Sequence, residues 1–337
     1  MDGAVRLNPE HLSGKALINL DSEEEGVILA SCAGGVRASV HLPIEWESAD
    51  EEAQEALLII TGLKGGHSGV EIDKGRANAI VLLGRVMRDL LGMGVQIHHI
   101  EGGEKMNAIA NKASAHLVFK AGWFDEVKRA VSAWENRFRN QFELIDPELR
   151  LTLERVESAA SPRRVFSLET AEHAAALLRL LPNGVQTMSA GIPGLVESSN
   201  NIGVLTTSDE TIEIDCAIRS SVRSLKAEMV DRMLIACTLT GAELRLQSDY
   251  PEWSFDPHSR MRETMISVYR DLYGKEMTVS AIHAGLECGI LKEKLGAIDI
   301  VSIGANLAEV HTPKECLDMP STERVYDFLV KVLKALG

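Results

Sequence analysis

From residue 15 to residue 41 apolar residues come in short runs broken by turn formers, at 15–20, 26–30 and 36–40, and each run reads as a strand. Asp21 closes the first run and is followed by Glu23, Glu24 and Glu25. Ligands in open α/β sheets gather at such strand ends. An acidic loop over 45–55 separates these strands from a new unit, where strand and helix patterns alternate. Strands are predicted over 57–60, 95–100 and 114–119, and helices over 76–91 and 124–144, with apolar spacing near 3.6 residues in 76–91. A long acidic segment with a Ser161-Pro162 turn leads to a helix over 168–181 and a hairpin of 202–206 with 211–219. A helix over 226–240 and a strand over 242–247 complete the unit. This order suits one antiparallel sheet covered by helices. Beyond Tyr250-Pro251-Glu252-Trp253 a helix (260–273), two strands (278–282 and 298–303) and a closing amphipathic helix (323–336) are predicted, so the class is α/β.

A length of 337 residues is enough for two domains with buried cores. The formal charge of −14 and an aromatic content of 4% argue against a nucleic-acid partner, which would be repelled and would find no stacking platform. No apolar stretch approaches a membrane span, and no basic region with an apolar core opens the chain. Five scattered cysteines without a CxxC pair read as reduced thiols, and the compartment expected is the cytoplasm.

Several segments carry candidate chemistry. In Lys64-Gly65-Gly66-His67-Ser68-Gly69 the glycines allow close backbone approach, and the imidazole exchanges a proton near neutral pH. A glycine-rich turn with an incidental histidine explains the stretch as well. Arg219 ends an apolar strand, as many edge residues do, yet its planar fork also suits a peptide's terminal carboxylate. His283 and Glu287 flank Gly285 in a loop, although a helix start at Glu287 fits equally. Asp21 could belong to a solvated acidic loop and His311 to a surface loop before Pro313, while carboxylate and imidazole are both suitable zinc ligands.

Seven segments also stand in a telling order. They are Asn19-Leu20-Asp21-Ser22-Glu23-Glu24-Glu25-Gly26, Cys32-Ala33-Gly34-Gly35, the His67 turn, Lys105-Met106-Asn107-Ala108-Ile109, residues 214–220 around Arg219, residues 283–289, and Val301-Ser302-Ile303-Gly304. In these segments the chain resembles the aminoacyl-histidine and cytosolic non-specific dipeptidases, members of the two-zinc family of aminopeptidases, carboxypeptidases and aminoacylases. The resemblance implies a zinc-peptidase-like catalytic domain in two pieces, 1–36 and 249–337, and an inserted ferredoxin-like lid and dimerisation domain, 37–248. It implies a homodimer, two zinc ions with Asp21 and His311 each ligating one, and Glu315 or Asp318 orienting His311. By the same resemblance His67 reaches the substrate carbonyl, often across the dimer. Asn107 and Arg219 hold the C-terminal half of a dipeptide such as Xaa-His, and Glu287 takes its amino group. Glu23, Glu24 and Glu25 are expected to form a solvated loop edge. The family's His-x-Asp pair, bridging Asp and Glu-Glu pair are absent from the sequence. The expectation is therefore a chain lacking its N-terminal part, which binds zinc weakly and does not hydrolyse dipeptides unaided. Alternatives are a complementing or non-catalytic dimerising fragment, or an aminoacylase or carboxypeptidase of the same family.

Overall fold

The computed structural model describes residues 2–50, 52–156, 164–310 and 312–337. After β1 (Ala16–Asn19) and β2 (Val27–Cys32) comes a long strand, β3 (Gly34–Pro43). There follow β4 (Gln54–Thr61), α1 (Ala79–Gly92), β5 (Gln96–Gly102), β6 (Ala113–Phe119), α2 (Phe124–Phe142) and β7 (Arg150–Arg155). Next are α3 (Leu168–Leu180), β8 (Val196–Thr207), β9 (Thr211–Ser220), α4 (Arg223–Thr240) and β10 (Glu243–Tyr250). The last stretch holds α5 (Arg260–Tyr273), β11 (Thr278–Ile282), α6 (Glu287–Leu295), β12 (Asp299–Ser302) and α7 (Met319–Leu336).

Local chemistry accounts for the best-formed elements. Asn78 caps α1, its Oδ1 accepting from the Ile80 amide at 3.0 Å, a contact worth about 1 kcal/mol. Ile80, Leu83, Met87 and Leu90 recur at helical spacing and are fully buried, each contributing roughly 1.5–3 kcal/mol. Along β9, Ile212, Ile214, Cys216 and Ile218 face the core, and Glu213, Asp215, Ala217 and Arg219 point the other way. That period of two puts Arg219 on the uncovered face.

Nine strands form the larger sheet, in the order β7-β4-β6-β5-β8-β9-β3-β10, with Gly184–Met188 added beside β8. Its left half is β4-α1-β5-β6-α2-β7 in chain order, with strands arranged fourth, first, third, second. The right half, β3-α3-β8-β9-α4-β10, repeats that arrangement in mirror order. The ferredoxin-like expectation is therefore met twice, the first βαββαβ unit lying between β3 and α3 of the second. The units join where β5 meets β8, at Gly102 opposite Leu205. There the Thr207 hydroxyl donates to the Ile100 carbonyl at 2.6 Å.

The smaller sheet runs β1-β12-β2-β11, with β1 parallel to β12 and β2 parallel to β11. Met261, Met265, Phe328 and Val332 from α5 and α7 pack with Ile28 in one core. Cys32, Trp253, Cys288, Ile298 and Ile300 form another. Burial on both sides explains why Val27-Ile28-Leu29-Ala30 is continuously apolar. The two sheets are tied where the chain passes between them: Cys32 and Trp253 exchange backbone hydrogen bonds of 3.0 and 3.1 Å.

Four expectations need correction. The run at 36–40, read beside those at 15–20 and 26–30, belongs to the other sheet, since β3 pairs with β9 and β10. The acidic loop 45–55 holds a strand, Trp46–Ser48, and the start of β4, while the acidic segment after α2 contains β7. Glu25 is no solvated loop edge: Arg324 donates to both its oxygens at 2.7 and 2.6 Å and holds its carboxyl below the ordinary value, against the effect of burial.

Candidate functional site

His67 lies in a two-residue strand, Gly66–His67, paired with Ala108–Ile109. Its backbone amide donates to Glu71 Oε2 at 2.8 Å, and Glu71 Oε1 accepts from Arg76 at the same distance. The ring is fixed by two further contacts. His67 Nδ1 accepts from the amides of Gly69 at 3.1 Å and Val70 at 3.3 Å. A nitrogen that accepts from amides carries no proton, so the neutral ring keeps its hydrogen on Nε2. Burial and the positive charge of Arg219 hold its pKa below 6.5, with Glu71 opposing. The outcome is a neutral imidazole presenting an Nε2–H donor. A Cβ at position 69 would stand 2.9 Å from both His67 Cε1 and the His283 carbonyl, so the loop needs glycine there.

Asn107 and Arg219 share a cavity of about 400 Å³, also lined by Arg37, Lys105, Met106 and Tyr250. Arg219 Nη1 donates to the Tyr250 hydroxyl at 3.1 Å, and its buried Nε has no hydrogen-bond partner among the described residues. The Asn107 carbonyl accepts from the Ser68 amide at 2.9 Å, which ties this cavity to the His67 turn. A larger cavity of about 580 Å³ lies over α4 and β10, but its cations are paired: Arg223 with Glu293 at 2.8 Å and Lys226 with Asp249 at 2.7 Å.

His283 sits between β11 and α6 and joins the two sheets through a 2.7 Å hydrogen bond between its Nε2 and Ser199 Oγ of β8. It is only 6% exposed and its Nδ1 has no aligned partner. Burial, with the charge of Arg219 second, pushes its pKa down to about 4, while a contact with the Val196 backbone works the other way. Glu287 is not in the loop but is the first residue of α6. Asp21 follows β1, next to Ser22, whose amide donates to the Ile303 carbonyl at 3.2 Å. Gly304 is packed so closely there that a Cβ would lie 1.6 Å from the Ser22 carbonyl oxygen. Asp21 and Glu287 both act on Cys288, whose thiol is pushed up to about 12, first by burial, then by Cys32, and after these by the two carboxylates.

The sequence-derived residues therefore fall into two groups. Arg219 of the larger sheet shares its cavity with Asn107, whose carbonyl holds the His67 turn, and the charges of Asp21 and Glu287 both reach Cys288 beside the smaller sheet. His311 lies outside the described residues. Among the described residues no three His, Cys, Asp or Glu side chains gather to hold a metal ion. Sequence reasoning missed Ser199, Tyr250 and Arg37. For Ser199 a signal existed: Ser198-Ser199-Asn200-Asn201 is a polar run inside a strand, and all four are buried.

The cytosol non-specific dipeptidase of Escherichia coli (strain K12) is 34% identical over 340 residues, which cover the whole of this chain and 69% of that protein. The chain belongs to the cytosol non-specific dipeptidase family. The crystal structure of aminoacylhistidine dipeptidase from Vibrio alginolyticus matches with a TM-score of 0.95 and 31% identity, over 99% of this chain and 68% of that one. A family described as the peptidase dimerisation domain matches residues 60–145, from the end of β4 to just past α2, most of the first ferredoxin-like unit. By family the protein is a hydrolase acting on peptide bonds. Among the described residues no helix is long and apolar enough to cross a membrane.

Proposed function

We propose that the protein acts on free dipeptides in the cytoplasm, Xaa-His among them, and that His67, Asn107 and Arg219 build the half of the site that holds the substrate. One observation carries this reading: the unpartnered Nε of Arg219 borders the Asn107 cavity next to the turn that presents the His67 donor. A dipeptidase must measure the distance from scissile bond to free C-terminus. The guanidinium takes the terminal carboxylate by a charge-assisted, fork-like contact, and Asn107 holds the same substrate half. The Nε2–H of His67 donates to the carbonyl oxygen as it gains charge, a contribution of the oxyanion-hole type. Glu287, at the start of α6, is proposed to hold the substrate's amino group. The names of the two relatives, a cytosol dipeptidase and an aminoacylhistidine dipeptidase, support the compartment and the substrate class.

Two zinc ions are the cofactor proposed from the resemblance. A catalytic zinc ordinarily has three protein ligands. Asp21 is the single proposed ligand among the described residues, which do not fit such a centre on their own, and no chemical step is drawn through it. Calorimetry separates the two halves of the site. Ala-His should bind at least about tenfold more tightly than its C-terminal amide or a tripeptide, tenfold being 1.4 kcal/mol. If the described residues are the only ligands, zinc should bind weakly. Equal binding of Ala-His and its amide would overturn the carboxylate role of Arg219. Tight uptake of two zinc ions would overturn the account of the metal half.

The inserted domain, proposed from sequence as 37–248, is further proposed to form the homodimer. Among the described residues its sheet ends in two open edges, β7 and β10. Leu246 on β10 and Leu234, Ile235 and Leu239 on α4 are exposed, and apolar surface beside an unpaired edge favours association. Expressed alone as 34–250, so that β3 and β10 are whole, this domain should unfold cooperatively and show a dimer mass by light scattering. Leu239→Glu with Leu246→Glu should return it to a monomer. A non-cooperative melt would count against the domain boundary.

A further inference from the structure

We infer that the cavity holding Arg219 prefers dipeptides whose C-terminal residue has an acidic side chain, with Arg37 and Lys105 receiving that second carboxylate. The inference rests on the proposed role of Arg219 and extends it to substrate choice. On the paired strands β9 and β3, Arg219 stands opposite Gly35 and Ala217 opposite Arg37. Alternation along a strand therefore puts Arg219 and Arg37 on the same face as diagonal neighbours, a spacing of about 7–8 Å between α-carbons. At position 35 glycine leaves room for the Tyr250 ring, whose hydroxyl would lie 2.5 Å from a Cβ. Lys105 enters the same cavity from the loop that carries Asn107.

Charge makes this lining unusual. The chain has 49 acidic residues against 35 Lys and Arg, yet among the described residues this cavity is lined by three cations and no carboxylate. None of the three lies within ion-pair distance of an acidic group among the described residues. Of the two acids on the same face of β9, Asp215 accepts from the Ser39 hydroxyl at 2.5 Å and Glu213 lies 3.9 Å from His41 Nε2. In the larger cavity over α4, by contrast, cations and carboxylates pair within the protein. One terminal carboxylate satisfies Arg219 and leaves Arg37 and Lys105 unbalanced. A ligand with two carboxylates on one residue, as in a C-terminal glutamate or aspartate, answers all three. Histidine, neutral or cationic, answers only the first.

The test is titration calorimetry of the full chain with Ala-Glu, Ala-Gln and Ala-His at low and at raised salt. Ala-Glu should bind about tenfold more tightly than Ala-Gln and Ala-His, with the margin shrinking as salt screens it. In the double variant Arg37→Gln, Lys105→Gln the affinity for Ala-Glu should fall to that of Ala-Gln. Both replaced side chains are exposed, and circular dichroism checks that the variant is folded. Equal affinity for Ala-Glu and Ala-Gln, or a preference that survives in the double variant, overturns the inference and leaves the dipeptide reading standing. Failure of all three peptides to bind overturns both.

Discussion

Between pH 6.5 and pH 4 the protein is expected to lose about 3 kcal/mol of stability through one residue, His283. In the unfolded chain this imidazole takes up a proton near pH 6.5, whereas in the folded protein burial beside Arg219 delays uptake to about pH 4. Over that window the unfolded state binds more protons than the folded one, so stability rises with pH and falls on acidification. The contribution is whole above pH 6.5, is lost progressively below it, and changes no further below pH 4. His67, whose pKa is also held below 6.5, adds to the loss in the same direction. Urea unfolding of the protein and of His283→Asn at pH 7, 5.5 and 4.5 measures it. The variant should keep a flatter profile, and parallel profiles would show that His283 is not held neutral. The 2.7 Å bond to Ser199 gives this loss a location, because that bond joins the two sheets. Acid should loosen their contact before either sheet melts.

Replacing Arg219 by methionine should weaken binding of a free dipeptide about 10–100-fold, the range for a charge-assisted hydrogen bond of about 1.5–3 kcal/mol. The C-terminal amide of the same dipeptide should be affected far less. A second effect distinguishes loss of a clamp from general damage. Arg219 depresses the pKa values of both His67 and His283, so both should rise in the variant. Histidine titrations followed by NMR would detect the shift, and the acid loss of stability would be smaller and would end at a higher pH. Arg219→Lys, which keeps the charge and gives up the fork, should restore the histidine pKa values more fully than the affinity. Unchanged dipeptide affinity in Arg219→Met would remove the residue from the site.

Where a signal was local, the sequence displayed it. The hairpin of β8 and β9 declares itself by its alternation and its Ser208-Asp209-Glu210 turn, and α5 was legible to both end residues. The motif segments around His67, Asn107 and Arg219 named residues that the fold brings to one cavity and the turn beside it. Glu287 was harder: a Gly-rich loop leading into a helix leaves the first helical residue undecided until its carbonyl is seen to bond.

The residues themselves determined the elements, because a helix or hairpin is encoded by spacing, caps and turn chemistry within a few positions. Asn78 ahead of α1, and the alternation that turns Arg219 out of the core, need no partner elsewhere in the chain to be recognised. Sheet membership was decided only by the tertiary structure. β3 looks like a neighbour of β2 in sequence, yet it pairs with β9, and its Ser39 meets Asp215 across 176 positions. Glu25 finds Arg324 across 299, and His283 finds Ser199 across 84. A strand's own pattern fixes which face is buried but not which strand lies beside it, since backbone hydrogen bonds are alike for every candidate. The doubled ferredoxin-like unit, and the three cations gathered around one cavity, follow from that choice of neighbours.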